Sequence, residues 1–354
     1  MDMKVKFVNR LFMMTTAPFL GLMLWMVFSS LTVSVELTNA KPAEINTWNT
    51  AYEHVTEGLD QAGKTAQYTI DAVRRVSVLY KQTTSTMNDI VYTASKQANR
   101  PETIYNKRIS SKLGAPIDHI ESDNIRAELY AINQATYNGY AMKVKLKEQK
   151  AMKMTLGKDK YGGSETTMQA VKRYGAVAGI NAGGYAEGRG NRYPLGTTVL
   201  NGDYVSAFEP SFKDLAFVGL DTLGRLIGGK FFDKTQLDQK NPKFGATFVP
   251  HLLNNGNKLT IPDKWKAPNR APRTTIGNYK DDQLLIMVID GYNENGGSGA
   301  TLEEMQQKMI NLGVRDAYNL DGGGSSSLIF KGRVVNHPSD GELRQLPTHF
   351  LFFE

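Results

Sequence analysis

Two stretches near the C-terminus each end on a carboxylate followed by glycine. One is LLIMVIDG, Leu284 to Gly291; the other is AYNLDGGG, Ala317 to Gly324, with Ser325, Ser326 and Ser327 behind it. Each reads as a buried strand that empties into a loop. A carboxylate so placed can serve as acid, base or nucleophile, and glycines beside it let a ligand approach the backbone. Between them Thr301–Leu312 (TLEEMQQKMINL) has helical periodicity and stops at Gly313, a favoured C-cap. Glu304 stands three residues after Thr301, which is capping-box spacing, so this third carboxylate has a structural explanation besides a chemical one. Strand, helix, strand predicts a βαβ unit with two parallel strands and a right-handed crossover, which would bring Asp290 and Asp321 to one rim.

A third segment repeats the grammar. Ser164 can cap a helix over Glu165–Tyr174, Gly175 ends it, and AVAGI (Ala176–Ile180) runs into Asn181-Ala182-Gly183-Gly184-Tyr185. Arg273 sits just before a strand that leads on to Asp290. Its planar fork of donors suits a phosphate or carboxylate, or an ordinary ion pair. Val335-Asn336-His337-Pro338-Ser339-Asp340-Gly341 is ordinary turn chemistry.

The chain of 354 residues is 41% hydrophobic, enough for one sizeable domain plus appendages. It has no cysteine, so disulfides, thiol nucleophiles and cysteine–zinc sites are excluded. The five histidines are scattered without metalloprotease spacing. A net charge of +7 suits anionic partners. No nucleic-acid-binding pattern accompanies it, so nucleic acid is not expected as a partner.

Leu11 to Val35 carries no charge and is long enough to span a bilayer; Lys4, Lys6 and Arg10 precede it. The positive-inside rule then leaves the N-terminus cytoplasmic and the rest outside, a single-pass anchor rather than a cleaved signal. Residues 1–40 are therefore expected to be a cytoplasmic tip and transmembrane helix, and 41–100 a long helix. From Trp48 to Ala94 apolar residues recur at alternating steps of four and three. That heptad pattern fits a stalk self-associating through 45–98, or a helix resting on its own domain or on a membrane partner. Residues 101–120, polar with two prolines, read as a linker. Residues 121–354 read as an α+β domain of mixed, partly antiparallel sheets with helix crossovers, with strands expected near Leu215–Leu220, Lys258–Ile261, Leu284–Ile289 and Phe350–Phe353.

Six blocks recur in this order in one family: NAGGY at Asn181, PRTTIG at Pro272, DG at Asp290, TLEE at Thr301, NLDGGGSS at Asn319 and VNHPSDG at Val335. From about Ala141 onward the chain resembles the phosphodiester glycosidase family. The resemblance implies hydrolysis of a sugar-1-phosphodiester at the anomeric carbon, giving sugar and a phosphomonoester. Such a site needs charge compensation on phosphate, a carboxylate for the oxocarbenium-like carbon or an attacking water, and a sugar pocket. On that resemblance Arg273 fits the phosphate, and Asp290, Asp321 and Glu304 compete for the carboxylate. Asn181, Gly183, Gly184, Asn319 and Asn336 would line the substrate pocket, and the amides of Gly322, Gly323, Gly324 and Ser325 would form a phosphate-cradling nest. A divalent cation among Asp290, Asp321 and loop carbonyls is compatible with hard oxygen donors, but no EF-hand-like spacing supports it. Tyr292 stands where the family pattern often has arginine. The expected context is envelope or exopolysaccharide metabolism at the cell membrane, with a glycan or glycosyl-phosphate as substrate. The rival is a non-catalytic glycan-binding scaffold attached to a membrane polysaccharide synthase.

Overall fold

A computed structural model describes residues 21–25, 45–291 and 299–354. The expected anchor lies outside the described residues except for Gly21–Trp25, which is helical and exposed, and Tyr292 lies outside them entirely. Among the described residues no helix is long and apolar enough to cross a membrane. The first long element is one helix, Ile45–Leu113. It corrects the expected linker: the helix passes through Pro101, and its last turns carry Tyr105, Ile109 and Leu113 into an apolar cluster. Those residues recur every fourth position, so one face is apolar although the segment is polar overall.

That end of the helix is also held by a buried cation. Lys143 Nζ, 2% exposed, lies 2.7 Å from Glu128 Oε2, Asn106 Oδ1 and Ser110 Oγ. Burial alone would raise the Glu128 carboxyl, but hydrogen bonds from Lys143, Tyr130 and Arg126 outweigh it and hold the group at about 2. Asn106 and Ser110 come from the helix and Lys143 and Glu128 from the sheet, so one ammonium joins two elements.

The residues from Ala94 onward form one of two compact units. Its main sheet has eight strands in the order Asp118–Glu121, Ile125–Asn133, Asn138–Leu146, Leu284–Ile289, Arg273–Asn278, Asp316–Leu320, His251–Asn254, Asn257–Lys258. A second sheet centres on Ala216–Asp221 and Pro242–Phe248, and a third on Leu328–Phe330, Ala178–Asn181, Thr348–Phe352 and Met152–Leu156. Ile125, Val288 and Leu320 on one face of the main sheet share a core with Val218 and Phe244 of the second and Ile180 and Phe350 of the third. The opposite face, with Leu285, Met287 and Ile289, packs under Met305 and Met309 of the helix Leu302–Leu312. The class is α+β, as expected, but every strand pairing among the described residues is antiparallel.

The helix crossover exists, yet its two strands are not neighbours. Arg273–Asn278 lies between Leu284–Ile289 and Asp316–Leu320 and runs antiparallel to both. The two Asp-ended strands therefore point the same way and finish at one rim, with the start of a third strand wedged between them. The helix caps follow the sequence, with Thr301 and Glu304 forming the capping box and Gly313 the left-handed C-cap. The helix Thr167–Tyr174 is capped by Thr166 with Gln169, rather than by Ser164. The strand expected at Lys258–Ile261 is reduced to Asn257–Lys258.

Removing Lys143 leaves a buried carboxylate short of its main partner. Lys143→Met is expected to cost roughly 3 kcal/mol at neutral pH, and Lys143→Met with Glu128→Leu to recover most of it. Chemical denaturation checks this. Because the folded Glu128 carboxyl lies below its ordinary 4.5, its contribution is full above about pH 4.5 and is lost as pH falls toward 2.

Candidate active site

Asp290 follows the strand Leu284–Ile289, and its main-chain N–H donates to Asn138 O at 2.9 Å. The residue is 6% exposed. Oδ1 accepts the His337 N–H at 2.7 Å, and Oδ2 lies 3.4 Å from His337 Nδ1. The imidazole of His337 is itself largely exposed, so this carboxylate borders solvent through its partner. Burial raises the Asp290 carboxyl above the usual range, with His337 opposing.

Asp321 ends the parallel-running partner strand. Its N–H donates to Ala182 O at 3.1 Å, and its Oδ1 accepts the Gly322 N–H at 3.0 Å. Oδ2 is enclosed without a hydrogen-bonded donor. Burial pushes the carboxyl up to about 6, although Ser325, the Gly322 amide and Arg344 all pull the other way. Arg344 donates through Nη1 to Ser325 Oγ at 3.4 Å and through Nη2 and Nε to Asp340 Oδ2 at 2.5 and 3.1 Å.

The two carboxylates belong to strands two apart, roughly 10 Å between strand axes. Both Asp-Gly steps close on Pro272. A Cβ on Gly291 would strike the Pro272 ring and crowd Ser339, and one on Gly322 would stand 2.9 Å from Pro272 O. The Gly323 N–H donates to Pro272 O at 2.9 Å. A single segment, His337 to Arg344, then bridges the rim. Its first residue holds Asp290, Ser339 meets Gly291, and the Asp340–Arg344 pair lies against Gly324 where a side chain could not fit. Turn chemistry accounts for residues 335–341 in the sequence, and nothing there points to Arg344, three residues beyond them.

Other expected site residues are placed differently. Arg273 is 8% exposed and spends its guanidinium on main-chain carbonyls, Nε on Ala300 at 3.1 Å and Nη2 on Pro268 at 3.0 Å. Along an extended strand neighbours alternate faces. Thr274 turns toward Asn181, so Arg273 points to the face under the helix Leu302–Leu312, away from phosphate duty. Glu304 is consumed by its capping box, by Arg270 Nη2 at 2.8 Å and by Thr136 Oγ1 at 3.1 Å. Asn181 is fully buried. Its Nδ2 donates to Asp321 O at 2.6 Å, while Oδ1 accepts from Thr274 Oγ1 at 2.9 Å and the Ser327 N–H at 3.0 Å. It positions Asp321 rather than touching a sugar.

Asn319 Nδ2 donates to Val249 O at 2.6 Å on the face opposite Leu320. Asn336 bridges Leu328 N and Ser326 O, at 2.7 and 3.0 Å. Gly183 and Gly184 are small because Ala246, Thr247 and Phe248 press against them. The amides of Gly322, Gly323 and Ser325 all have partners inside the protein, so the expected nest is not formed. Among the described residues no three His, Asp or Glu side chains cluster as a metal site would require. What assembles is two buried carboxylates of raised basicity, an arginine and an exposed imidazole on one rim. That set can compensate an anion and present a carboxylate to an electrophilic carbon.

A family model for phosphodiester glycosidases matches residues 174–353. The SPbeta prophage-derived uncharacterized protein YomE of Bacillus subtilis (strain 168) is 30% identical over 183 residues, 50% of this chain and 28% of its own length. The N-acetylglucosamine-1-phosphodiester alpha-N-acetylglucosaminidase of Homo sapiens is 38% identical over 137 residues, 34% of this chain and 26% of the human protein. The matched stretches thus span less than a third of these curated relatives. Among solved structures, the zebrafish N-acetylglucosamine-1-phosphodiester alpha-N-acetylglucosaminidase catalytic domain, auto-inhibited by its pro-peptide, superposes with a TM-score of 0.53 at 19% identity. That match covers 68% of this chain and 87% of the zebrafish one, and at this identity it speaks to fold alone.

A carboxyl raised by burial costs stability once ionised. In the window from 3.8 to about 6 the unfolded Asp321 ionises before the folded one, so stability falls as pH rises through it. Asp321→Asn keeps an acceptor for the Gly322 amide and removes that cost. The variant should be more stable than the parent at pH 7, on the order of 2 kcal/mol, with the gain vanishing below about pH 4. Thermal melts across that range measure it.

Proposed function

We propose, for a chain that belongs to the phosphodiester glycosidase family, that the rim of Asp290, Asp321 and Arg344 hydrolyses a sugar-1-phosphodiester. The bond from the anomeric carbon to the phosphate oxygen breaks, water supplies the new hydroxyl, and a phosphodiester becomes a phosphomonoester. One observation carries this reading: two buried carboxylates of raised basicity end like-directed strands, two apart in the sheet, on a rim that also holds Arg344. The leaving phosphate is already a stable anion, so the chemistry asks for charge compensation more than for an acid. Arg344 is assigned the phosphate. Asp290, open to solvent through His337, is assigned to the anomeric carbon or its attacking water, in ionised form. Asp321 lies behind Ser325 and Arg344; the Asp340 carboxylate holds the arginine, and Asp321 once ionised adds negative charge behind it.

The human relative's name supports a sugar-1-phosphodiester as the substrate class. We place the enzyme outside the cell membrane on a single-pass anchor with a cytoplasmic N-terminus. The charge-free run from Leu11 to Val35 and the basic residues before it support this. Glycosyl-phosphate linkages of envelope polysaccharide are the substrates such a location offers. A second reading, a glycan-binding scaffold for a membrane polysaccharide synthase, is favoured by the exposed apolar residues of the long helix. Wild-type protein that turns over no sugar-1-phosphodiester and co-purifies with a membrane glycosyltransferase would decide for the scaffold.

In a sugar-release assay Asp290→Asn and Asp321→Asn should each lower kcat at least 100-fold. Arg344→Ala should lower kcat/KM with the fold intact, whereas Arg273→Ala should show its damage first as a lower melting temperature. The wild-type rate should climb with pH through about 6 as Asp321 ionises. A rate that falls across that range would assign Asp321 the opposite, acidic role.

A further inference from the structure

Among the described residues nothing in the unit that ends at Thr93 covers the long helix: nearly all its described side chains from Asn49 to Thr93 are exposed. A soluble helix with that many uncovered apolar side chains is incomplete. Taking Tyr52 as position a of a heptad, positions a carry Tyr52, Leu59, Ala66, Val73, Tyr80 and Met87. Positions d carry Val55, Ala62, Thr69, Val76, Thr83 and Ile90.

The placement of charge is the second observation. Glu53, Asp60, Arg74 and Lys81 fall on b; Arg75 and Asp89 fall on c; Glu57, Lys64 and Asp71 fall on f. From Tyr52 to Thr93 no charged residue occupies a, d, e or g. The e and g positions instead carry Ile70, Leu79 and Val91 among Thr, Ser, Gly and Ala. Tyr68, Val78 and Tyr92 are the apolar or aromatic residues left on the charged side. In a two-stranded coil e and g flank a narrow seam and usually carry paired charges. A charge-free face four heptad positions wide is instead what a helix needs when it contacts two neighbours.

The area agrees. Eleven large apolar side chains lie on that face, among them Leu59, Val73, Val76, Leu79, Met87 and Ile90. At roughly 60–120 Å² each, they offer about as much surface as the ~800 Å² per partner that a stable interface needs. We propose that this helix associates with copies of this chain as a parallel, in-register bundle of at least three strands. Identical copies match large layers to large layers and the small layers, Ala62, Ala66 and Thr69, to one another. A membrane-embedded partner would supply no such layer-by-layer match along six heptads.

The absence of native cysteine makes the test clean. Full-length single-cysteine variants Val55→Cys and Ile90→Cys, at d near either end, are oxidised mildly beside Glu57→Cys and Asp89→Cys at f and c. Most of each d variant should become disulfide dimer, against less than a tenth of the others. Light scattering of the unmodified chain in mild detergent should give at least three times 39.3 kDa. Val73→Glu with Val76→Glu should reduce that mass at least threefold while the melting transition of the domain stays unchanged. A monomer or dimer mass overturns the proposal, as does equal cross-linking at all four positions. Product formed only when Val55→Cys and Ile90→Cys are mixed would mean antiparallel pairing and overturn it too.

Discussion

The site depends on a crowding constraint at Pro272. The strand that begins there lies between two strands that end on Asp-Gly, so the beginning of one must fit between the ends of the others. Gly291 and Gly322 have no room for a side chain against Pro272, and the Gly323 amide is tied to its carbonyl. Those contacts hold both Asp-Gly steps against one residue, and so bring the two carboxylates to one rim. Asn181 secures the arrangement from below, with its amide divided among the Asp321 carbonyl, the Thr274 hydroxyl and the Ser327 amide. A buried polar group satisfied on every side is rigid. That rigidity is what permits an enclosed carboxylate such as Asp321 to persist at a cost to stability, as sites of chemistry commonly require.

Much of this was legible in the residues. The strand ending in Asp-Gly, the capping box at Thr301 and the left-handed cap at Gly313 are local patterns, and local physics fixes them. The shared rim also followed from the order strand, helix, strand. The intervening antiparallel strand did not, because a crossover says that two strands are codirectional, not that they touch. Arg273 shows the limit more sharply. Its type announces anion binding, but a one-residue alternation along the strand turned it to the helix side, where carbonyls absorb it.

The segment from His337 to Arg344 is hard to read in sequence for a different reason. Its Pro, Ser, Asp and Gly residues are typical of turns wherever they occur. Only tertiary closure over Gly291 and Gly324 makes this turn a bridge between the carboxylates, and Arg344 acquires its role three residues beyond the motif. The helix end at 101–113 had a visible signal that composition masked: Tyr105, Ile109 and Leu113 repeat on one face of an otherwise polar stretch. The glycines after Asn181, read as a loop open to ligand, answer instead to the packing of Ala246 and Phe248.

The central claim is that the bond broken lies between sugar carbon and phosphate oxygen. Hydrolysis of a sugar-1-phosphodiester by the purified chain in water enriched in oxygen-18 reads this directly, with the phosphomonoester analysed by mass spectrometry. Unlabelled phosphomonoester is the predicted result, since the solvent oxygen should go to the anomeric carbon. Label in the phosphate would mean attack at phosphorus and would contradict the account.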